Sequence, residues 1–164
     1  MELLDRIENI IKYFTKENIK IAFAESCTGG YVANMFTNIP GASKVFDRGI
    51  VCYSNQAKID LLNVNPKFIE SQGAVSEDVV KQLAFNVRIL SNVDLGIGIS
   101  GIAGPTGGSP EKPVGTVYIG FSTFEGTEIQ IYHFKTDRIS FKKRVLEKVL
   151  EFLEKNFLYK GENK

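Results

Sequence analysis

Ser26, Cys27 and Thr28 stand in the stretch Ala24-Glu25-Ser26-Cys27-Thr28-Gly29-Gly30, where their neighbours best equip them for chemistry. Before them, Ile19, Ile21, Ala22, Phe23 and Ala24 read as a short buried strand. After them, Tyr31, Val32, Met35 and Phe36 recur at helical spacing. A strand that breaks through a small polar loop into a helix leaves the helix's first backbone N–H groups unpaired beside these three residues. Such fixed dipoles suit an anion or a developing oxyanion. Two nucleophiles are on offer: the Ser26 hydroxyl, and the Cys27 thiol, which a helix N-terminus activates as a thiolate. The same residues also fit an architectural role, with Ser26 or Thr28 capping the helix and Gly29 and Gly30 permitting close packing.

Other chemistries find less support. Cys27 and Cys52 form neither a C-x-x-C pair nor a disulfide framework, and His133 is the single histidine, so the usual imidazole-rich metal sets are unavailable. A Ser-His-Asp triad would have to use His133, which strand alternation puts on one face with Ile129 and Ile131 instead of beside the glycine-rich loops. Gly96-Ile97-Gly98-Ile99-Ser100-Gly101 matches G-x-G-x-x-G. A dinucleotide fold needs a helix opening at the third glycine, and Gly104-Pro105 and Gly107-Gly108 prevent one. No phosphate-binding G-x-x-x-x-G-K-[S/T] loop occurs. The segment from Gly101 to Pro113 is left as a backbone-rich wall that a flat ring or phosphate can approach closely.

The elements that must position these residues follow from periodicity. Leu3, Leu4, Ile7, Ile10, Ile11 and Phe14 predict an amphipathic helix over 2–17. Asn38-Ile39-Pro40-Gly41 is a turn, Val45 to Tyr53 a second strand, and Ser54-Asn55 a cap for a short helix from Gln56 to Leu62, with Lys58 in its first turn. Asn63 to Pro66 reads as a break, and Ser76 as the N-cap of a helix running to about Leu90, with Glu77 and Asp78 favourably placed against its dipole. Leu95 to Ser100 fits a central strand. Val114 to Phe121 and Thr127 to Phe134 fit an antiparallel hairpin turning at Glu125-Gly126, and Phe141 to Leu153 a terminal helix. Residues 158–164 read as a frayed tail.

This alternation predicts one α/β domain over 1–164, a three-layer α/β/α arrangement around a mixed, mainly parallel sheet of about five strands. The loops after the first three strands carry the unusual residues, so they are expected to line one pocket. With 20 basic and 19 acidic residues among 164, the chain has no charge excess to draw in nucleic acid. No apolar run approaches a membrane span, and the N-terminus lacks a basic region before an apolar core, so a cytoplasmic protein is expected.

Five blocks in order carry a resemblance: Ala24 to Gly30; Gly49-Ile50-Val51-Cys52-Tyr53-Ser54-Asn55 with Lys58; Gly73-Ala74-Val75-Ser76; Ser100-Gly101-Ile102-Ala103-Gly104-Pro105; and Lys112-Pro113-Val114-Gly115-Thr116-Val117. The chain resembles the C-terminal domain family of the competence/damage-inducible protein CinA, whose stand-alone members are nicotinamide mononucleotide deamidases. The resemblance implies an amidohydrolase with Ser26 as nucleophile and Tyr53 and Lys58 as its proton-transfer pair, needing no metal or other cofactor. It places Cys27 as a neighbour of the nucleophile.

A helix N-terminus and burial would both destabilise the Lys58 ammonium, as a lysine base requires. Tyr53, just before the turn, could relay a proton or hold the Ser26 hydroxyl. Cys27, Thr28, Gly29, Gly30, Ser100, Gly101 and Gly104 are the expected substrate wall. Lys112 and Arg138 are the candidate phosphate contacts, because a mononucleotide phosphate calls for a fixed cation. Around Arg138 the chain has Thr136-Asp137-Arg138, where the family usually has glycine before Asp-Arg. The implied partner is a pyridine mononucleotide, with no nucleic acid and no membrane. A homodimer is expected from the family and from the apolar stripes of the two terminal helices. The alternative is a nucleotide-binding module of the same fold without turnover.

Overall fold

All five residues of Ile21–Glu25 are buried, and this strand, β1, lies between two parallel neighbours at the centre of the domain. The computed structural model describes residues 1–160. In chain order the elements are α1 (Leu3–Lys16), β1, α2 (Tyr31–Thr37), β2 (Phe46–Val51), α3 (Asn55–Leu62), α4 (Pro66–Gln72) and α5 (Glu77–Ser91). They continue with β3 (Leu95–Gly101), β4 (Thr116–Thr123), β5 (Gly126–His133) and α6 (Arg138–Leu153), which runs into a π-helical turn over Glu154–Leu158. The sheet order is β2-β1-β3-β4-β5. β1 pairs parallel with β2 and β3, while β4 is antiparallel to both β3 and β5. Four strands thus run one way and β4 the other, the mixed sheet expected of alternating helices with one late hairpin.

Alternation along β1 sorts the two cores. Ile21 and Phe23 face α1, α2 and α6, joining Ile7, Phe14, Phe36, Phe141 and Leu146. Ala22 and Ala24 face the other way, against Leu62, Val80, Leu83 and Val87 of α3 and α5. Small residues on this second face let α5 lie close to the sheet. A Cβ on Gly98 would come within 2.6 Å of the Ala84 nitrogen, and one on Gly120 within 3.1 Å of the Ala84 Cβ. The Gly96-Ile97-Gly98 pattern therefore serves helix-on-sheet packing, and β3 continues to Gly101 with no helix opening there.

Three local expectations change. Asn65-Pro66 starts a helix instead of only breaking one: the Asn65 side chain accepts from Lys67 N at 3.0 Å, and Pro66 takes the first helical position, where no N–H is needed. Ser76 precedes α5 as expected, but its hydroxyl donates to Gly73 O at 2.9 Å and caps nothing. At the C-terminus, Leu158 closes the π-helical turn and packs on the core. The frayed tail expected beyond Lys160 lies outside the described residues.

The apolar stripes of the terminal helices are consumed within the domain, since Ile7, Ile10, Ile11 and Phe14 of α1 and Phe141, Val145, Val149 and Leu150 of α6 are all buried. Leu4 of α1 and Ile139 of α6 are exceptions and stay exposed. The large apolar side chains left exposed include Phe85 and Ile89 on α5 and Phe124 at the β4–β5 turn. Among the described residues, no helix is long and apolar enough to cross a membrane.

Candidate active site

β1 does not stop cleanly at Glu25. Ser26 N donates to Ile99 O of β3 at 3.0 Å, and on the other side Cys52 N donates to Glu25 O at 2.8 Å, so the serine is held from both neighbouring strands. The chain then turns sharply. Gly29 N donates to Ser26 O and Tyr31 N to Thr28 O, both at 3.0 Å, through Gly29 at φ 60° and Gly30 at φ 95°. Positive φ costs a residue with a Cβ, so the two glycines are what this turn requires.

The Glu25 side chain folds back beneath the loop. Its carboxylate accepts from the Thr28 hydroxyl at 2.6 Å, Val32 N at 3.0 Å and Ala33 N at 2.9 Å. A carboxylate there satisfies orphan donors and complements the helix dipole. The first-turn donors that the sequence left open to a ligand are thus taken by the protein's own anion, and Thr28, fully buried, faces the interior. Among the described residues the N–H groups of Cys27 and Thr28 make no hydrogen bond to the protein. Glu25→Gln, which cannot accept from all three donors, is expected to cost about 1–3 kcal/mol. At roughly 2–4 °C per kcal/mol in a domain of this size, Tm should fall by several degrees in a thermal melt. An unchanged Tm would show that the carboxylate does not hold the loop.

The second half of the site comes from the edge of the sheet. After β2 the chain passes Cys52 and Tyr53 and enters α3, where the Ser54 hydroxyl caps the helix by accepting from Ala57 N at 2.9 Å. Lys58 follows on the inward side and is only 1% exposed. Its Nζ lies 3.0 Å from Ser26 Oγ, 3.0 Å from Cys52 O, 3.0 Å from Tyr53 O and 3.4 Å from Ser54 O. Among the described residues no carboxylate stands within ion-pair distance of it. Burial pushes its pKa below the ordinary lysine value, against a smaller opposing pull from the Cys52 and Cys27 thiols. Nζ donates to these oxygens as it stands; once deprotonated, the amine can keep N–H bonds to two of the carbonyls and turn its lone pair to the Ser26 hydroxyl.

Tyr53 reaches the site by its main chain. Its carbonyl accepts from Lys58 Nζ and, at 3.4 Å, from Ser26 Oγ, while the residue is 59% exposed and its phenol bonds neither. Cys27 lies beside Ser26, but its thiol is pushed up to about 12 by burial and so supplies no thiolate near neutral pH. Cys52 is likewise raised by burial. His133 sits on the far strand, its Nε2 3.0 Å from Val114 O, and takes no part.

Together these residues open into a cavity of about 280 Å³. Ser26 and Cys27 come from the loop after β1, Tyr53, Asn55 and Lys58 from that after β2, and Ser100, Gly101 and Gly104 from the end of β3 and its loop. The three loops meet as their positions after parallel strands require. Arg138 lines the mouth, where its Nε donates to Gly104 O at 2.8 Å. Lys112 does not join them; its Nζ donates to Gln72 O at 2.6 Å. A larger cavity of about 600 Å³ lies at the opposite end of the sheet, between Phe121, Phe152 and Phe157. It holds no nucleophile–base pair, and Glu17, Asp94, Glu125 and Glu128 on its wall disfavour an anionic ligand.

The model of the CinA C-terminal domain matches residues 4–157. The chain belongs to this family. A protein of Thermoanaerobacter pseudethanolicus described as competence-damage inducible is 44% identical over 151 residues, covering 92% of this chain but 37% of the relative. A relative of the same description from Caldanaerobacter subterraneus is 52% identical over 123 residues, 75% of this chain and 30% of its own length. The chain thus spans about a third of the length of these relatives. Among solved structures, a CinA superfamily protein from Klebsiella pneumoniae superposes with a TM-score of 0.92 at 26% identity, covering 97% of this chain and 99% of its own. The competence/damage inducible protein CihA of Agrobacterium tumefaciens gives 0.86 at 35% identity, covering 92% and 93%. The CinA fold therefore accounts for nearly the whole chain.

Two residues at this CinA site escaped the sequence. Glu25 lies inside the first motif, yet an acid next to a buried strand gives no sign of which donors it will meet. Lys142 has its Nζ 3.9 Å from where a Cβ on Gly29 would stand. Its spacing of one helical turn from Arg138 was the available signal. The Asp-Arg variation has a simple outcome: Asp137 caps α6, accepting from Ile139 N at 3.1 Å and Ser140 N at 2.9 Å, so the turn needs no glycine.

Proposed function

We propose that this CinA domain is a cytoplasmic amidohydrolase that converts nicotinamide mononucleotide and water to nicotinate mononucleotide and ammonia. The observation that carries the reading is the 3.0 Å contact between Ser26 Oγ and the buried, carboxylate-free amine of Lys58. A lone buried lysine is costly unless its neutral form is used, and a base is such a use. Ser26 Oγ attacks the carboxamide carbon as its proton passes to Lys58 Nζ. The oxyanion of the tetrahedral adduct is met by the N–H of Cys27, which lines the cavity and is not bonded to the protein. Lys58 then gives its proton to the departing nitrogen, ammonia leaves, and an ester remains on Ser26. Water, deprotonated by the same amine, cleaves the ester to the carboxylate and frees the serine. The Tyr53 carbonyl, bonded to both groups, keeps them aligned.

Incubation with the mononucleotide and assay of released ammonia tests the reading. Stoichiometric nicotinate mononucleotide and ammonia are expected. Binding of the mononucleotide with no ammonia above a protein-free control would overturn it and leave a nucleotide-binding module.

A further inference from the structure

The two ends of the sheet carry opposite charge. Lys58 and Arg138 are the charged side chains on the wall of the Ser26 cavity, where no carboxylate stands among the described residues. At the far end, beside the starts of β1 and β3, the cavity of about 600 Å³ is rimmed by Glu17, Asp94, Glu125 and Glu128, with Lys160 the one cation among its described residues. None of these four carboxylates is ion-paired among the described residues. Like charges gathered around one hollow raise each other's energy and lower that of a cation entering it.

The floor is apolar and held in place by its surroundings. Phe121 of β4 and Phe152 of α6 stack with ring centroids 3.6 Å apart, beside the fully buried Leu95. The π-helical turn that ends α6 closes one side. Its first residue, Glu154, is gripped by Arg6 Nε and a terminal nitrogen, each at 2.8 Å, and Phe157 is set edge-on against Phe14 at 5.1 Å. Such widened turns are uncommon and recur at functional sites. Glu128 stands directly across from Phe121 in the β4–β5 ladder, so both lie on the α6 face of the sheet and a carboxylate borders the aromatic floor.

A phenyl face itself attracts a cation, so rim and floor favour the same charge. An anion is repelled by the rim, an uncharged apolar molecule leaves the carboxylates uncompensated, and a small hydrated cation gains nothing from the floor. We infer that this cavity is a second ligand site, for an organic cation carried on a flat aromatic body, such as an arylalkylamine or an N-alkylated heteroaromatic ring. Its volume falls within the range of small-molecule sites, about 300–1,000 Å³. No lining residue is shared with the Ser26 cavity, so the site stands or falls apart from the amidohydrolase reading.

Tryptamine and indole-3-propionate serve as probes, one ring system carrying opposite charges. The chain has no tryptophan, so indole emission excited beyond tyrosine absorption reports the probe alone. Tryptamine should bind saturably, at one site per chain, about tenfold or more tightly than indole-3-propionate, and added salt should shrink that preference. Glu125→Gln combined with Glu128→Gln, both at exposed positions, should weaken tryptamine about fivefold or more without weakening indole-3-propionate. Glu17→Gln, on a separate element, should act in the same direction. Equal affinity for the two indoles, or tryptamine binding untouched by these variants, would overturn the site. So would displacement of tryptamine by an equal concentration of propylamine, which has the charge without the ring, or by nicotinamide mononucleotide, which would put the probe in the Ser26 cavity. A tryptamine Kd that weakens as the protein is concentrated would show that a second copy of the chain covers the cavity, and would refute the small-cation assignment.

Discussion

Ser26→Ala is expected to abolish ammonia release while the protein stays folded. The substitution removes a buried hydroxyl whose contacts are Lys58 Nζ and the Tyr53 carbonyl, a loss of about 0.5–1.5 kcal/mol in stability. Removal of the nucleophile acts on a different scale. A drop in kcat of about a thousandfold or more is expected, equivalent to ~4 kcal/mol in the barrier. The two magnitudes separate a catalytic from an architectural serine: Tm should move by a few degrees at most while turnover disappears. Cys27→Ala is the control, since a thiol held near 12 contributes no thiolate at neutral pH. An active Ser26→Ala protein together with an inactive Cys27→Ala protein would reverse the assignment.

Lys58 carries the second large effect. Lys58→Arg should be nearly as damaging as Lys58→Met, because a guanidinium keeps the charge but cannot release a proton at a working pH. A loss of about 10²–10⁴-fold in kcat is the range for a positioned base. The pH dependence has a definite sign. The pKa of Lys58 is depressed from 10.5 by burial, and only the neutral amine can take the Ser26 proton, so the rate rises with pH through the depressed value. Stability follows the same direction. Between the depressed value and 10.5 the unfolded chain holds a proton that the folded chain does not, so folding becomes more favourable as pH rises across that window. A rate flat from mildly acidic to alkaline pH with chemistry limiting, or an arginine variant with near-normal kcat, would move Lys58 out of the base role.

Much of this site is legible in the sequence because it is built from local transitions. The apolar run ending at Ala24, the small polar loop and the helical spacing from Tyr31 require a strand-to-helix break, and the break sits where it was expected. Ser54 caps α3 and carries Lys58 inward for the same reason. What escaped is set by tertiary direction. Lys112 and Lys142 are equally plausible cations in one dimension, but one turns toward the Gln72 carbonyl and the other toward Gly29. Tyr53 drew attention for its phenol, whereas the bonds it makes to Ser26 and Lys58 come from its carbonyl, a group every residue owns. Helix α4 was hidden because Asn-Pro reads as a breaker unless the chain beyond it has something to pack on. Phe68 and Ile69 find that support against the α5 face.

The proposed catalytic pair is shared between unequal parts of the sheet. Ser26 extends a fully buried central strand bonded on both sides, whereas Lys58 and Tyr53 follow β2, an edge strand whose residues are exposed or half-buried and whose pairing with β1 slips between Ile21 and Ala22. Edge segments with few buried contacts open at a lower free energy than the core they flank. Amide hydrogens of the β2–α3 segment should therefore exchange with solvent sooner than those of β1. On warming, activity should disappear at a lower temperature than the cooperative loss of secondary structure, and return fully on cooling. The base would leave before the nucleophile, and such heat inactivation would be a local, reversible parting of two strands.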